Sequence, residues 1–577
     1  MHTKMAGLLA LAGAATFTMG CGGSSKRGSV FENHFPTPAE LAKLESTHQV
    51  PAKLLGQSPE AIDTWRIDGA LPAQLVATPH SDGTPWHTLL TQVAAGRDVA
   101  LTEDMHCFAR AYGGFRLAKT GAPSRALRDF MALRCATTVV SPYTYYLHGD
   151  GSGDESLVFD NWKSQAQDMM KEALDAEKGP LAMGVWFGSD AGKRIMVVVS
   201  GRRLVSIEPL ALVPTGDDVV INGTLTETFQ AVRAVINHGR FGFAKCKTDP
   251  KVVLPRFSVR CPVDRNDAAE LIEVVGFKKG RYLGETVLET MTYPGGQLVD
   301  TYARVSFQGE ADEPGVPGAT AAPAGDTPTR LTVLINDLRG QAKLPSVTLS
   351  LAQSAQSRRL APLYFAATAQ EVSEKIADTI VMGLMAGWEI DGVVREGGFT
   401  SGIVHGAGEE ELLEQMVARP FGREALFDET TQHVAIGEVR SDDGLGVMVT
   451  TYSTFTATSS REALAHVLEK LNAERARNGL PPAGILGGAS AVLKKIGTMV
   501  KRGELSYDEA GDAMMNTLDN PDLRGYSWAA NSLDEIEIPA TLSKQKNLAV
   551  AAVVTYQKVK GVPWAPYVLL LIYGETR

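Results

Sequence analysis

Apolar and polar positions alternate along this chain in two rhythms, and each predicts a different element. From Trp86 the spacing is helical: Leu89, Leu90 and Val93 share a face. Leu101, Met105, Phe108, Ala109 and Tyr112 then recur at three- and four-residue steps. Another helix is expected from about Asp160 to Ala176. Beyond it, Leu181 to Phe187 and Ile195 to Val199 are apolar runs on either side of Gly188-Ser189-Asp190-Ala191-Gly192, which predicts a β-hairpin. Residues 201–310 carry short β-rich runs separated by turn residues: Leu204 to Ile207, Val219 to Ile221, Val252 to Val259, Leu271 to Val275 and Tyr302 to Phe307. Turns at this spacing predict a β-sandwich. Residues 311–329, rich in Pro, Ala, Gly and Thr, read as a linker.

After the linker the pattern repeats itself. Leu334-Ile335-Asn336-Asp337-Leu338-Arg339 leads to Leu344-Pro345. Leu468-Glu469-Lys470-Leu471-Asn472-Ala473-Glu474-Arg475 leads to Leu480-Pro481-Pro482. Both are amphipathic helices closed by a Leu-Pro turn, with Asn and Arg at matching places, as expected of two copies of one unit. Each ends in a hairpin, Val434 to Glu438 with Leu445 to Thr451, and Ala549 to Tyr556 with Tyr567 to Tyr573. The hairpin at 183–199 closes the first region in the same way. Three copies are therefore expected, at 85–200, 330–456 and 457–577, in a multidomain α+β protein.

The length of 577 residues exceeds what one core serves. A net charge of −10, without a cluster of Lys and Arg, argues against nucleic acid as the partner. The first 21 residues differ from the rest. Lys4 precedes an uncharged run from Ala6 to Met19, too short to span a bilayer but suited to a cleavable signal peptide. The run ends in Thr18-Met19-Gly20-Cys21 and a Gly/Ser stretch, which resembles a bacterial lipobox; Thr18 stands where Leu is usual. A lipid on Cys21 would place the protein on a membrane in the cell envelope, whereas plain secretion leaves Cys21 incidental. Residues 22–84 read as a tether and a partly ordered tail. Four cysteines remain: Cys107, Cys135, Cys246 and Cys261. In an oxidising compartment they suggest two disulfides. Three connectivities are open. The parsimonious one joins Cys107 to Cys135 and Cys246 to Cys261, each pair within one expected domain, and four free thiols are the alternative.

The repeated unit resembles the CAP superfamily (SCP or pathogenesis-related-1-like). Leu334 to Leu349 is similar to the family's opening helix and turn. Arg419-Pro420-Phe421-Gly422-Arg423-Glu424-Ala425-Leu426-Phe427-Asp428, followed by Val434-Ala435-Ile436-Gly437, is similar to its close. The resemblance implies α-β-α sandwich modules. In many members it also implies a cleft of two His and two Glu, in some cases able to hold a divalent metal. Here Arg358 stands where the first His is expected, and Gly422 where the second is, beside Arg423. Glu389 and Glu396 are the nearest acidic candidates, and in the last copy Lys494 or Lys495 falls near the first His position. Arg and Gly cannot ligate a cation as neutral imidazoles do, so the cleft is read as degenerate: Arg358, Glu389, Gly422, Arg423.

Other chemistry is sparse. No HExxH, Walker-A loop or GxSxG elbow occurs. The loop carrying Asp150, Asp154 and Glu155 offers carboxylates for Ca²⁺, but Glu155 sits where an EF-hand needs Gly, and a solvated loop is the plainer reading. His106, beside Cys107, lacks an identifiable partner in the sequence. No cofactor, metal or catalytic residue is expected. The function expected is a non-catalytic binding or structural role in the envelope, toward an unknown protein, glycan or lipid. A hydrolase with an unrecognised site, perhaps using His106 or the 149–155 loop, and a carrier of apolar ligands are the alternatives.

Overall fold

A computed structural model describes residues 38–47, 59–304 and 325–575, apart from 61, 70–71, 152–154, 280–283, 370–378, 382–383, 385–393, 406–407, 519, 521, 531–532, 534–535, 537 and 558–564. The protein is α+β, with several small sheets. Among the described residues five of these sheets have four strands, and three of the five share one topology. In the first module, Val99–Leu101 lies parallel to Leu181–Asp190, which forms a hairpin with Lys193–Arg202, and Tyr143–Asp150 completes the far edge. Thr348–Leu349, His433–Arg440, Gly444–Thr454 and Val394–His405 stand in the same order and sense in the second. Gly484–Ile485, Leu548–Tyr556, Tyr567–Glu575 and Arg524–Ala530 do so in the third.

The three hairpins read from the sequence are the two central strands of these sheets. Their residues are apolar on both faces, as befits strands covered by helices on either side. In the first module, Glu103–Ala118 and Arg125–Arg134 build one core with Ile195, Val197 and Val199. Pro85–Ala94 and Glu155–Asp175 build the other with Met196 and Val198. The parallel edge strands of the second and third modules are two residues long, too short to print an alternating pattern.

Between the first two modules stands a two-sheet sandwich. One sheet contains Gly242–Lys245, Ala231–His238, Glu270–Phe277 and Glu285–Thr292; the other contains Lys247–Thr248, Arg256–Pro262, Asp218–Leu225 and Val205–Ile207. Ile221, Val259, Ile236, Ile272 and Val274 fill the space between them. The chain passes from one sheet to the other at Cys246, and its disulfide with Cys261 fixes that crossing. The second disulfide joins Cys107 to Cys135, so the pairing within domains is the one formed.

Two expectations need correction. Thr301–Ala303, counted with the sandwich, instead pairs with Thr64–Arg66, and Gln74–Leu75 pairs with Leu210–Ala211. Residues expected to belong to a tail are thus drawn into the body from Pro59, which bridges Ala122. Isolated strands this short are not stable alone, so their partners, distant in sequence, decide whether they form. No helix among the described residues is long and apolar enough to cross a membrane.

Candidate functional site

The residues that carry the family resemblance are spent on holding the modules together. Asn336 bonds the backbone of Val347 in both directions, Val347 N to Oδ1 at 2.8 Å and Nδ2 to Val347 O at 3.0 Å, and so fixes the turn into the edge strand. Arg339 is fully buried. Its guanidinium donates to the carbonyls of Pro345 (2.7 Å), Leu426 (2.6 Å), Asp428 (3.2 Å) and Thr431 (3.4 Å). Asn472 and Arg475 repeat this. Ala483 N donates to Asn472 Oδ1 at 3.0 Å, and buried Arg475 reaches the carbonyls of Pro481, Leu542, Gln545 and Lys546. The Asn-x-x-Arg pair is a backbone staple.

Three of the four expected cleft positions lie among the described residues, and each has a separate employment. Arg358 is half-exposed and pairs with Asp326 at 3.2 Å. Gly422 is buried on the helix Pro420–Phe427, where a methyl group would lie 1.8 Å from the Met416 carbonyl oxygen. Steric exclusion explains glycine there. Arg423 turns outward from the module and donates to the carbonyls of Val417 (2.8 Å), His238 (3.3 Å), Gly239 (2.8 Å) and Gly242 (3.1 Å), clamping a sandwich hairpin. Arg358 and Arg423 share no partner among the described residues. Glu389 lies outside the described residues, as do Asp154 and Cys21. Glu396 accepts from Thr430 (2.8 Å) and from Tyr567 (3.1 Å), joining the second module to the third.

The modules can be aligned by a shared bond. Thr102 N, Ser350 N and Leu486 N each donate to a carbonyl of the strand that pairs with their edge strand, Met183, Val434 and Val550. Counting onward from those residues, Arg110 and Lys494 correspond to Arg358. All three modules therefore carry a cation at this place. His106 lies one helical turn earlier.

The structure nevertheless gathers imidazoles and carboxylates at one place in the first module. His106, one turn into the helix Glu103–Ala118, is buried, and its Nδ1 lies 2.8 Å from the Val185 carbonyl. His80 reaches it from the chain before the module: Pro79 bridges Thr102, and His80 N donates to Leu101 O at 3.0 Å. The two rings stack with centroids 3.8 Å apart, and His87 lies edge-on to His80 at 5.6 Å. His80 Nδ1 is bonded to the Glu103 carboxylate, and its Nε2 faces Asp82 Oδ2 at 3.5 Å. Asp82 Oδ1 is held in turn by Thr84, from its N–H at 2.9 Å and its hydroxyl at 2.8 Å. His80, Asp82 and His106 each offer one ligand atom, all within 4.8 Å of one another.

Electrostatics sort these groups. Burial, and then the neighbouring His80, hold the His106 imidazole below its ordinary pKa. Burial opposes ionisation of Asp82, but hydrogen bonds from Thr84 and the nearby imidazoles outweigh it and keep the carboxyl below its usual range. Glu155 opens the helix Glu155–Asp175 close by; burial and the Asp82 charge raise its carboxyl. Asp150 ends its strand opposite Lys193 of the neighbouring strand. The sequence offered no spacing for His80 and His106, since a bridge outside any regular strand brings them together.

Neither a family model nor a curated protein matches the chain. Among solved structures, one similar chain is a cysteine-rich secretory protein from Staphylococcus aureus subsp. aureus Mu50, a member of the CAP superfamily. It is 8% identical, with a TM-score of 0.17, and the match covers 53% of this chain and 94% of that one. A likeness at that score carries no argument, so the resemblance to CAP proteins rests on the motifs quoted above.

Proposed function

We propose that this chain is an extracytoplasmic envelope protein, exported by its signal peptide and tethered by a lipid on Cys21. Three degenerate CAP-like modules and a β-sandwich form its binding scaffold, and its partner is an envelope protein, glycan or lipid. The observation that carries this reading is the inward use of the motif residues. Asn336, Arg339, Asn472 and Arg475 bond backbone within their own modules. Gly422 has no room for a side chain, and Arg423 clamps the sandwich. A scaffold is what remains when the positions that carry the resemblance serve packing alone.

Crosslinking in intact envelopes, followed by recovery of the tagged protein, tests this reading. Specific partners are expected with the wild type, and Cys21→Ala is expected to move the protein from the membrane to the soluble fraction. Recovery of bulk envelope proteins alone, or an unchanged distribution of the variant, contradicts it. A second reading, an extracytoplasmic hydrolase, is favoured by the His80, Asp82 and His106 group, and it calls for turnover that vanishes with His106→Ala.

A further inference from the structure

Two groups of metal-ligating side chains come together among the described residues, and they employ their polar atoms differently. In His238, Asp267 and Glu270, the imidazole is bonded directly to Glu270, and the Arg423 guanidinium rests on the carbonyls of His238 and Gly239. A cation there would face a fixed positive charge, and the acid already has a partner. His80, Asp82 and His106 present the opposite arrangement. Each is gripped from behind through one polar atom, and the three residues offer ligand atoms within 4.8 Å of one another.

We propose that His80, Asp82 and His106 form a binding site for a zinc-class divalent metal ion, oriented by Glu103, Thr84 and Val185.

Glu103 occupies Nδ1 of His80, so Nε2 is its remaining nitrogen; that atom is buried, makes no hydrogen bond among the described residues and faces Asp82 Oδ2 at 3.5 Å. The Val185 carbonyl occupies Nδ1 of His106, which leaves Nε2 of that ring as its ligand atom. Thr84 takes Asp82 Oδ1 through two hydrogen bonds and leaves Oδ2 facing the imidazoles. Metal-bound histidines ordinarily give their second nitrogen to a carboxylate or a backbone carbonyl, which fixes the tautomer and the ring plane. Here one ring has each kind of partner.

The spacing agrees. With metal–ligand bonds of about 2.0–2.1 Å, neighbouring ligand atoms of a tetrahedral site stand about 3.3–3.5 Å apart. His80 Nε2 and Asp82 Oδ2 are separated by 3.5 Å. The full set spans no more than 4.8 Å, so a small inward movement closes it around one ion.

The donor set selects the ion. Two imidazole nitrogens and one carboxylate oxygen suit zinc and its transition-metal neighbours, whereas Ca²⁺ and Mg²⁺ prefer oxygen throughout. Glu103 and Glu155 add negative charge around the ligands, which a divalent cation offsets. Three protein ligands leave a fourth place for water or a bound partner group. The site is assembled by the Pro79–Thr102 bridge and the helix Glu103–Ala118. None of its three ligands occupies a position at which the family resemblance placed a histidine, so the inference stands whether or not the scaffold reading holds.

The test uses the full mature chain, stripped with a chelator, equilibrated with zinc alone and desalted before elemental analysis. Cobalt(II) uptake is followed in parallel by its visible absorption. About one equivalent per chain is expected for the wild type, with four-coordinate cobalt bands. His80→Gln and Asp82→Asn are expected to lose stoichiometric uptake, and Glu103→Gln to weaken it about 10–100-fold. His238→Gln is expected to leave it unchanged. Far-UV circular dichroism of each variant confirms that the fold survives; should buried His106 variants misfold, His80→Gln and Asp82→Asn carry the test. A wild type that retains no zinc, or retention that survives both substitutions or disappears with His238→Gln, overturns the proposal.

Discussion

The guanidinium of Arg475 is enclosed by four backbone carbonyls with no carboxylate among them, and Arg339 repeats the arrangement in the second module. A charge buried this way is tolerable only because its donors are satisfied, and removing it strands acceptors that water cannot reach. Arg475→Met is therefore expected to lower stability by about 3 kcal/mol in urea unfolding monitored by circular dichroism. The loss should exceed that of Arg358→Met, whose half-exposed pair with Asp326 is worth at most about 1 kcal/mol. Gly422 gives a complementary prediction. Gly422→His, which would restore the imidazole the resemblance anticipates, is expected to destabilise the second module without conferring metal uptake, because its Cβ collides with the Met416 carbonyl. A folded variant that gained zinc would refute this.

At the scale of elements, the decisive contact is the helix Pro420–Phe427 against the sandwich. Phe421 buries its ring beside Val235 and Val275, and its N–H donates to Glu273 Oε2 at 3.2 Å. Arg419 forms ion pairs with Glu289 at 2.9 Å and with Asp129 of the first module at 3.5 Å, with Arg125 3.7 Å from the same Asp129 oxygen. Three carboxyls thus meet two guanidiniums in a buried junction of three units. Burial, reinforced by the Glu289 charge, pushes the Glu273 carboxyl up to about 7. The folded protein therefore holds this proton to higher pH than the unfolded chain does. Stability is expected to fall as pH rises from about 4.5 to about 7, by roughly 2–3 kcal/mol from this group. The difference between wild type and Glu273→Gln, taken from urea midpoints at pH 5 and pH 8, isolates it. An equal loss in both proteins would remove Glu273 from the account.

At the scale of the whole molecule, three modules of one topology and a sandwich are welded by side chains that lie far apart in sequence. Asn237 donates to the Ala418 carbonyl at 2.9 Å, Glu424 accepts from Arg233 at 3.0 Å, and Arg423 clamps the hairpin at Gly239 and Gly242. The disulfides act within units. Cys246 and Cys261 close a span of 15 residues, for which constraint of the unfolded chain gives about 3 kcal/mol. The double variant Cys246→Ser, Cys261→Ser is expected to unfold at lower urea by that amount. An unchanged midpoint would assign the sandwich's stability to its apolar core alone.

What the sequence determined by itself were the features encoded locally. Helical periodicity placed the helices from Trp86 and near Asp160, and apolar runs around turn residues placed all three central hairpins. The Asn-x-x-Arg turn repeated, and the cysteines suggested bridges. The edge strands were not legible, because two residues carry no period. The strands at 64–66 and 74–75 were missed because their partners lie more than a hundred residues away. The same physics hid the imidazole–carboxylate group: His80 and His106 meet only because a single bridge at Pro79 lays the incoming chain against Thr102. Local periodicity is written in neighbouring residues. A site assembled from a loop, a helix and a strand carbonyl is decided by packing.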